Sequence, residues 1–382
     1  MMKVITLQYM FQNDGSSNAL LKLYKHLISK GVDFLVIYSR SSPEIRMLQD
    51  IGVKAIKVPY LKSSDRGYRG IIKYAYLIAF LSINTIALFF MLIISLIYRP
   101  NVIHTNVSPI HLGYYLGTIL RIPHIWHLRE FRRKEACVQP IFNYTHFMKI
   151  LNNSDTIATT KSIKEYYGLS RCRVIYDGVI NQHASKTIVP LRQRLNSFLF
   201  VGRVEQSKGI EILINSFAKF NTINNDWCLD IIGGYTDKYY NELVRKMESL
   251  NITNRVHFLG ICNDVEQKMA ERKVVVISSL SEGFGYVTVE AMANKCFVIA
   301  NDNTGTKEQL DNAKSIAGYE VAYRFSTESE LFDQMKRFVE GDYTEHQQMV
   351  DNAYTIVNQL YSVEQYGTEV LNYYKQIIKS KK

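Results

Sequence analysis

The chain has 382 residues, 47% of them apolar and 21% charged, so it is long enough for two domains with full cores and is not a disordered protein. The net charge of +11 is uneven: residues 1–180 carry 23 Lys and Arg against 10 Asp and Glu (+13), whereas residues 181–382 carry 23 against 25 (−2). The basic half predicts an anionic partner, and because no helix-turn-helix, zinc or RNA-recognition signature is visible, a membrane surface is favoured over nucleic acid.

The five cysteines are odd in number, widely spaced and without a Cys-x-x-Cys pair. This pattern argues against a disulfide framework and against a zinc site, and it is typical of a reducing cytoplasm. The apolar stretch at the N-terminus is too short for a signal peptide and predicts a first strand.

Short apolar runs alternate with helical patterns along the whole chain. The predicted strands are 4–8, 34–38, 102–104, 124–127, 156–159, 174–175, 197–201, 227–232, 256–259, 274–278 and 297–300. Apolar strands of this length, separated by helices, are typical of parallel sheets that are covered on both faces. The sequence therefore predicts an α/β fold with two Rossmann-like, doubly wound parallel-sheet domains that face each other across a cleft.

The expected domain boundaries follow from a polar stretch between the two series of strands. The first domain is expected at 1–180, a linker at 181–196 and the second domain at 197–363. A last helical pattern at 364–382 leaves open whether the chain returns to the first domain.

Residues 74–98 contain no charged side chain and are bracketed by Lys73 and Arg99. As a helix this segment would extend about 38 Å at about 1.5 Å per residue, which is long enough to cross a bilayer. Crossing would place strands of one sheet on opposite sides of the membrane, so a helix lying in the membrane interface is favoured. A buried core helix and a spanning helix remain the alternatives. We expect residues 66–99 to meet anionic headgroups through their basic flanks.

Polar residues follow several strands of the first half. Asp14-Gly15-Ser16 come after the first strand, where a helix cap is the alternative to a ligand-binding loop. His104 and His127 lie at the ends of later strands, where a structural histidine with satisfied hydrogen bonds is the alternative to a direct role in the site. Arg129 begins a basic cluster that would serve an anionic ligand or form a solvated surface.

The most informative motif of the second half is Glu282-Gly283-Phe284-Gly285-Tyr286-Val287, followed by Glu290. It comes after the strand 274–278 and opens a helix predicted at 287–294. The glycines allow a close approach of the backbone, and the amides at a helix N-terminus bind anions such as a diphosphate. The two carboxylates that bracket the turn would accept hydrogen bonds from sugar hydroxyls.

A second motif follows the strand 197–201. Gly202-Arg203 end this strand, and Lys208 precedes the helix predicted at 210–220. A guanidinium and an ammonium at the carboxyl end of a parallel strand suit a pyrophosphate. They would stabilise the charge that develops on a departing nucleotide.

Together these motifs resemble the retaining glycosyltransferases of the GT-B fold, family four. The resemblance implies that Arg203 and Lys208 hold the donor phosphates, Glu282 contacts the sugar and Glu290 the ribose, while the backbone from Phe284 to Val287 meets the diphosphate. Gly233-Gly234 resemble the glycine turn beside the nucleotide. Glu308 belongs to a later glycine–glutamate loop, in which Thr304 stands where glycine is common.

The same resemblance assigns the first domain to the acceptor and the second to a nucleotide-sugar donor. It places His127 against the transferred sugar, and it places Asp14-Gly15-Ser16, His104 and Arg129 on the acceptor side. Lys161 stands where the family usually has a serine.

No Asp-x-Asp motif occurs, so no divalent metal and no other cofactor is expected. The resemblance implies transfer with retention to a lipid-linked or polysaccharide acceptor, at the cytoplasmic face of the plasma membrane. A non-hydrolysing nucleotide-sugar epimerase and a catalytically silent subunit that docks on a glycan or membrane are the alternatives. The sequence does not define the donor sugar, the base, the acceptor linkage or the oligomeric state.

Overall fold

The computed structural model describes residues 1–12, 14–63, 69–131, 144–181 and 189–380. The chain divides into two compact units. Unit 1 comprises Met1–Gly178 together with Val363–Lys382, and unit 2 comprises Val179–Ser362. The final helix, Val363–Ser380, therefore belongs to unit 1. Parts of four segments named above lie outside the described residues: 66–68, 132–134 of the basic cluster that begins at Arg129, 182–188 of the expected linker, and 381–382.

Unit 1 is built on a parallel sheet in the order β3-β2-β1-β4-β5-β6-β7. Its strands are β1 (Met2–Gln8), β2 (Val32–Tyr38), β3 (Lys54–Lys57), β4 (Val102–Asn106), β5 (His124–Leu128), β6 (Asp155–Ala158) and β7 (Cys172–Val174). Its α-helices are Gly15–Ser29, Arg46–Asp50, Gly70–Tyr98, Leu112–Leu120, Tyr144–Asn152, Lys161–Tyr167 and Val363–Ser380. Apolar clusters cover both faces of the sheet, which is why its central strands are apolar at nearly every position.

Unit 2 repeats this architecture with the order β10-β9-β8-β11-β12-β13, again parallel. Its strands are β8 (Leu195–Val201), β9 (Cys228–Ile232), β10 (Val256–Gly260), β11 (Arg272–Ile277), β12 (Phe297–Asn301) and β13 (Tyr323–Phe325). Its α-helices are Ile210–Asn221, Asp237–Ser249, Val265–Glu271, Tyr286–Ala293, Thr304–Ala317, Glu328–Glu340 and Tyr343–Leu360. One large cluster of its core includes Phe198, Phe217 and Trp227.

The predicted α/β class with two doubly wound parallel sheets is confirmed. Each of the eleven predicted strand segments overlaps a strand of the structure. The prediction missed two edge strands, β3 and β13. The residues of β3 are mostly exposed and two of its four are lysines, so they lack the apolar run that marks a central strand.

The helix Gly70–Tyr98 is long and apolar enough to cross a membrane by length and composition. Only 22% of its most apolar window is buried. This exposure disagrees with the alternative of a buried core helix.

Candidate functional site

The strand order of unit 2 reverses between β8 and β11, which are paired in parallel. In doubly wound sheets, ligands bind at the carboxyl ends of the strands at such a reversal, because the connections leave in opposite directions and open a crevice. Lys208 follows β8, and Glu282 follows β11. The two motifs predicted from the sequence therefore lie at this crevice of unit 2.

Lys208 and Glu282 form an ion pair, with 2.6 Å between Nζ and Oε1. About a fifth of each side chain is exposed, so the pair is accessible but partly shielded from water. Two further hydrogen bonds join the loops. Ser278 Oγ donates to the Lys208 carbonyl at 2.8 Å, and the Leu280 amide donates to the Ser207 carbonyl at 3.0 Å. The ammonium group is thus held at a fixed place beside the carboxylate.

Two glycines allow these loops to approach each other. Gly209 has φ +64°, and a Cβ atom there would overlap the carbonyl oxygen of Ser278. Gly233 has φ +149°, and a Cβ atom there would overlap the carbonyl oxygen of Gly202. Gly234 accepts a hydrogen bond from the Val204 amide at 2.9 Å. Backbone therefore lies directly against backbone along this edge of the sheet.

Gly285, at φ +89°, is the N-cap of the helix Tyr286–Ala293. The first amides of an α-helix have no partner within the helix and carry its positive dipole end. Hydrogen bonds from the next helix, Thr304–Ala317, hold the turn that precedes Gly285. Gln309 Nε2 donates to the Phe284 carbonyl at 2.6 Å, and the Gly305 amide donates to the Glu282 carbonyl at 2.9 Å. The turn thus places a helix start of the kind that binds anions next to Glu282, the partner of Lys208.

The remaining residues predicted for the donor are placed as follows. Arg203 is about three-quarters exposed and pairs with Glu205 at 3.2 Å, so its guanidinium does not join the Lys208–Glu282 pair in this structure. Glu290 is half-buried in the helix Tyr286–Ala293, and Glu308 is buried in the helix Thr304–Ala317. Their roles stay predictions.

Unit 1 has its own reversal point, between β1 and β4. Asn106 Nδ2 donates to Gln8 Oε1 at 2.5 Å across the carboxyl ends of these strands. Asp14 caps the helix Gly15–Ser29 by accepting a hydrogen bond from the Ser17 amide at 2.8 Å, and Ser16 Oγ also donates to it. The geometry is that of the helix cap considered as the alternative, so an acceptor role for Asp14, Gly15 and Ser16 stays a prediction.

His104 and His127 are fully buried and stack on each other. His127 Nδ1 lies 3.1 Å from His104 Nε2 and 3.5 Å from an Arg129 nitrogen. Arginine only donates, so Nδ1 accepts and the proton of His127 resides on Nε2. His104 then donates through Nε2, and its Nδ1 accepts from the Tyr374 hydroxyl at 2.6 Å.

Burial is the main cause that lowers the pKa of both rings, and the positive charge of Arg129 adds to it. The pKa of His104 falls to about 3, and that of His127 falls well below its usual value. Both histidines are therefore neutral near pH 7. Among the described residues His127 Nε2 has no hydrogen-bond partner, although Asp177 Oδ1 lies 4.0 Å away.

Arg129 is the centre of this buried network rather than an exposed cation. Its guanidinium pairs with Asp177 and donates to Tyr366 at 3.0 Å and to Asn106 at 2.6 Å. The acceptor role expected for Arg129 stays a prediction, and the partners named here, Asp177, Tyr366 and Asn106, all belong to unit 1.

Asp177, Tyr366 and Tyr374 also belong to this network but were not predicted from the sequence. No motif marks them, because Tyr366 lies 237 residues from Arg129 along the chain and only the fold brings them together.

Within the described part of the chain, one group of three side chains has metal-ligand chemistry: Cys228, Asp230 and His257. Asp230 already accepts hydrogen bonds from Arg272 at 2.6 Å and from His257 at 2.8 Å. Burial raises the pKa of Cys228, which favours the thiol over the metal-binding thiolate. The hydrogen bonds of Asp230 and its ion pair with Arg272 explain why these side chains lie together.

Most of unit 2 matches a known protein family. Residues 181–356 match the family model described as Glycosyl transferases group 1. The matched segment contains both loops of the Lys208–Glu282 pair and the helix start at Gly285.

Two curated relatives are informative. The N-acetylgalactosamine-N,N'-diacetylbacillosaminyl-diphospho-undecaprenol 4-alpha-N-acetylgalactosaminyltransferase of Campylobacter jejuni is 25% identical over 174 residues, 45% of either chain. The chain thus spans about half the length of that relative. An uncharacterized glycosyltransferase of Methanocaldococcus jannaschii is 28% identical over 302 residues, which covers 72% of this chain and 75% of the relative.

Among solved structures, HepE of Anabaena in complex with UDP and glucose superposes with a TM-score of 0.75 at 19% identity. The superposition covers 98% of this chain and all of that one. The sucrose-phosphate synthase of Thermosynechococcus elongatus gives a TM-score of 0.73 at 17% identity, with full coverage of both chains. At these identities the likeness shows a shared fold.

Proposed function

Residues 181–356 belong to the glycosyl transferases group 1 family and the chain has the GT-B fold, and from this premise we propose a specific reaction for it. The protein transfers a sugar from a nucleoside-diphosphate-sugar to a lipid-linked or polysaccharide acceptor. The transfer retains the anomeric configuration and uses no divalent metal.

The observation that carries this proposal is the Lys208–Glu282 pair at the reversal point of unit 2, beside the helix start at Gly285. A donor sugar diphosphate needs cationic and amide donors for its phosphates and an acceptor oxygen for its sugar hydroxyls. Lys208 and the amides after Gly285 supply the first set, and Glu282 supplies the second. Arg203 joins the phosphates when its exposed guanidinium leaves Glu205.

In the proposed reaction, each bond change and each charge can be assigned to a group. The bond between the anomeric carbon and the departing phosphate oxygen breaks, and the acceptor oxygen forms its bond on the same face. The acceptor proton passes to the leaving phosphate. Negative charge grows on the nucleoside diphosphate, where Lys208 and the helix dipole stabilise it without a metal ion.

The acceptor class rests on the relatives. The Campylobacter jejuni relative is named for a diphospho-undecaprenol substrate, and a Salmonella typhimurium relative, 26% identical over 189 residues, is named as a lipopolysaccharide 1,2-N-acetylglucosaminetransferase. We extend this chemistry to the present chain as synthesis of a cell-surface glycan. A lipid-linked acceptor implies that the enzyme works at the cytoplasmic face of the plasma membrane.

The test is release of nucleoside diphosphate from a panel of nucleotide-sugars in the presence of membrane lipid extract, with and without chelator. Lys208→Ala and Glu282→Ala should each lower turnover by at least about 100-fold, the effect of removing one charge contact to a transition state. Lys219→Ala is the matched control, because it breaks another lysine–glutamate pair of unit 2, 2.8 Å from Glu328. The control should keep parental turnover.

The products separate the proposal from its alternatives. Transfer of the sugar to an acceptor or to water supports a glycosyltransferase, whereas an isomerised donor would indicate an epimerase. Full turnover in Lys208→Ala would contradict the assigned site. Absence of turnover with every donor would support the alternative of a catalytically silent subunit.

A further inference from the structure

The helix Gly70–Tyr98 presents an apolar face to solvent along its whole length. Large apolar side chains are exposed from its first turn to its last: Ile71, Ile72, Tyr74, Ile78, Leu81, Ile83, Ile86, Phe89, Phe90, Ile93, Leu96 and Ile97. No acidic side chain lies anywhere in the helix. Soluble domains rarely expose continuous apolar patches larger than a few hundred Å², and such patches mark an interaction surface.

The opposite face of the helix packs on the sheet of unit 1. Its buried residues are spaced three or four apart, as expected for one side of a helix: Phe80, Asn84, Ala87, Met91 and Ser95. Asn84 fixes the helix by accepting from the Leu61 amide at 2.8 Å and donating to the Leu61 carbonyl at 3.2 Å. The exposed face is therefore held in a defined orientation.

Hydrogen bonds near both ends of the packed part of the helix show how far it reaches along the sheet. Tyr98 donates to the carbonyl of Asp33, at the amino end of β2. Leu61, the partner of Asn84, follows Tyr60, which bonds Ser39 just beyond the carboxyl end of β2. The stretch from residue 84 to residue 98 thus spans the sheet, and its length of about 21 Å matches a seven-residue strand.

The first part of the helix projects beyond the carboxyl edge of the sheet. None of residues 70–79 is buried. Gly70 lies ten residues before Phe80, the first buried residue of the helix, so this overhang is about 15 Å long at about 1.5 Å per residue. It carries Ile71, Ile72 and Tyr74 together with Lys73. The overhang lies at the same edge of unit 1 as the loop after β1 and the ends of β4 and β5.

The topology excludes a spanning orientation. The helix connects β3 to β4, and β4 pairs in parallel with β1 in the same sheet as β3. Both ends of the helix must then lie on the side of the bilayer that holds the sheet. In contact with a membrane, a helix of this kind lies in the plane of the interface.

The charges favour lipid over a second copy of the chain. Arg69 and Lys73 lie at one end of the helix and Arg99 at the other, with only uncharged residues between 74 and 98. Two such helices placed together would bring cations near cations, whereas anionic headgroups neutralise them at about 1 kcal/mol per charge, or about fivefold in affinity.

We propose that the helix Gly70–Tyr98 lies in the bilayer interface with its exposed face among the acyl chains, and that its overhang brings the carboxyl edge of unit 1 to the membrane. A lipid-linked acceptor then reaches that edge while its lipid stays in the bilayer. The access of a lipid-linked acceptor to this edge rests on the proposed function, whereas the membrane contact does not depend on it.

The test uses flotation of the full chain with vesicles of phosphatidylethanolamine and phosphatidylglycerol. Ile71→Ser combined with Ile72→Ser should lower the vesicle-bound fraction by at least about tenfold, and Phe89→Ser with Phe90→Ser should do the same. The matched control is Ile223→Ser with Ile316→Ser, two exposed isoleucines of unit 2. The control should bind vesicles as the parent does.

Further measurements separate the outcomes. Arg69→Gln should weaken binding about fivefold to anionic vesicles and leave binding to neutral vesicles unchanged. Parental binding by both apolar double variants overturns the proposal. A dimer in lipid-free solution that the same substitutions abolish, without vesicle binding by the parent, assigns the face to a second copy and also overturns it.

Nucleotide binding, followed by thermal shift with a panel of nucleoside diphosphates, is measured on the same variants. It should be unchanged by the helix substitutions. If the parent binds vesicles but binds no nucleoside diphosphate, the proposed function fails and the membrane contact stands.

Discussion

Thr304 occupies a backbone conformation that β-branched residues rarely adopt, with φ +41°. This explains why glycine is common at that place in the motif. The hydroxyl group of Thr304 accepts a hydrogen bond from the Glu282 amide at 2.8 Å, and this bond stabilises the threonine in that conformation. The bond offsets part of the conformational cost, which is about 1–2 kcal/mol. A departure from the family pattern thus has a local compensation that also positions Glu282.

The buried histidines of unit 1 predict how its stability depends on pH. His104 has a pKa of about 3 in the folded protein, against about 6.5 in the unfolded chain, because burial and the charge of Arg129 oppose protonation. Between these values the unfolded chain binds the extra proton, so stability falls as pH decreases from about 6.5 toward 3. Above pH 6.5 the contribution is constant. The pKa of His127 is lowered too, which adds to the slope in the same direction.

We expect the free energy of unfolding of unit 1 to fall by up to about 1.4 kcal/mol per pH unit for each histidine below pH 6.5. Urea unfolding at pH 7.5, 6.5 and 5.5 measures this slope. His104→Gln should reduce it. An equal slope in the parent and in His104→Gln would contradict this account.

At the scale of secondary-structure elements, the loop that ends in Lys208 depends on Gly209. This residue is both the C-cap of the short 3-10 helix Gln206–Lys208 and the N-cap of Ile210–Asn221. Its positive φ and its contact with Ser278 let the loop lie against the end of β11. The close approach, more than the conformation alone, places Lys208 beside Glu282.

Gly209→Ala should therefore destabilise unit 2 by about 2–5 kcal/mol. This is the cost of placing alanine in a left-handed conformation plus the cost of the overlap of its Cβ atom with the Ser278 carbonyl. Gly318→Ala is the control, because Gly318 has φ +82° with open space around its Cβ position and should cost only about 1–2 kcal/mol. Thermal unfolding compares their stability, and nucleotide affinity reports the position of Lys208. Similar losses in both variants would show that the contact with Ser278 is unimportant.

The sequence predicts elements well where a single physical signal dominates. The central strands are recognised because each is an apolar run buried on both sides, as in β11 and β12. Short edge strands such as β13 carry no such signal. Within the candidate site, the spacing of the motifs placed Lys208 and Glu282 in loops that the fold brings together, but the orientation of Arg203 and the Arg129 network depend on contacts distant in sequence.

At the scale of the whole molecule, the chain leaves unit 1 after Gly178 and returns to it at Val363. The returning helix Val363–Ser380 supplies the hydroxyls of Tyr366 and Tyr374 to the buried network. It packs closely on the helix Gly15–Ser29, where Gly367 leaves room for His26. Unit 1 is consequently completed only by the last residues of the chain, whereas unit 2 is formed by one continuous segment.

Truncation after Ser362 should therefore unfold unit 1 and leave unit 2 folded. The lost helix buries six large side chains: Val363, Tyr366, Val370, Tyr373, Tyr374 and Ile377. At about 1.5–3 kcal/mol each, their removal costs about 9–18 kcal/mol, comparable with the whole stability of a domain. Calorimetry should show loss of one transition, and thermal shift should show that nucleotide binding by unit 2 persists.

A variant with Tyr366→Phe and Tyr374→Phe separates packing from hydrogen bonding in this helix. It keeps the apolar contacts and removes two hydroxyls, so it should retain both transitions and lower the stability of unit 1 by about 2–4 kcal/mol, because Arg129 and His104 each lose a buried partner. A truncated chain that kept both transitions would show that the first 178 residues fold without the returning helix. Loss of a transition in the double variant would instead mean that the buried network, rather than the apolar contacts, holds the helix in place.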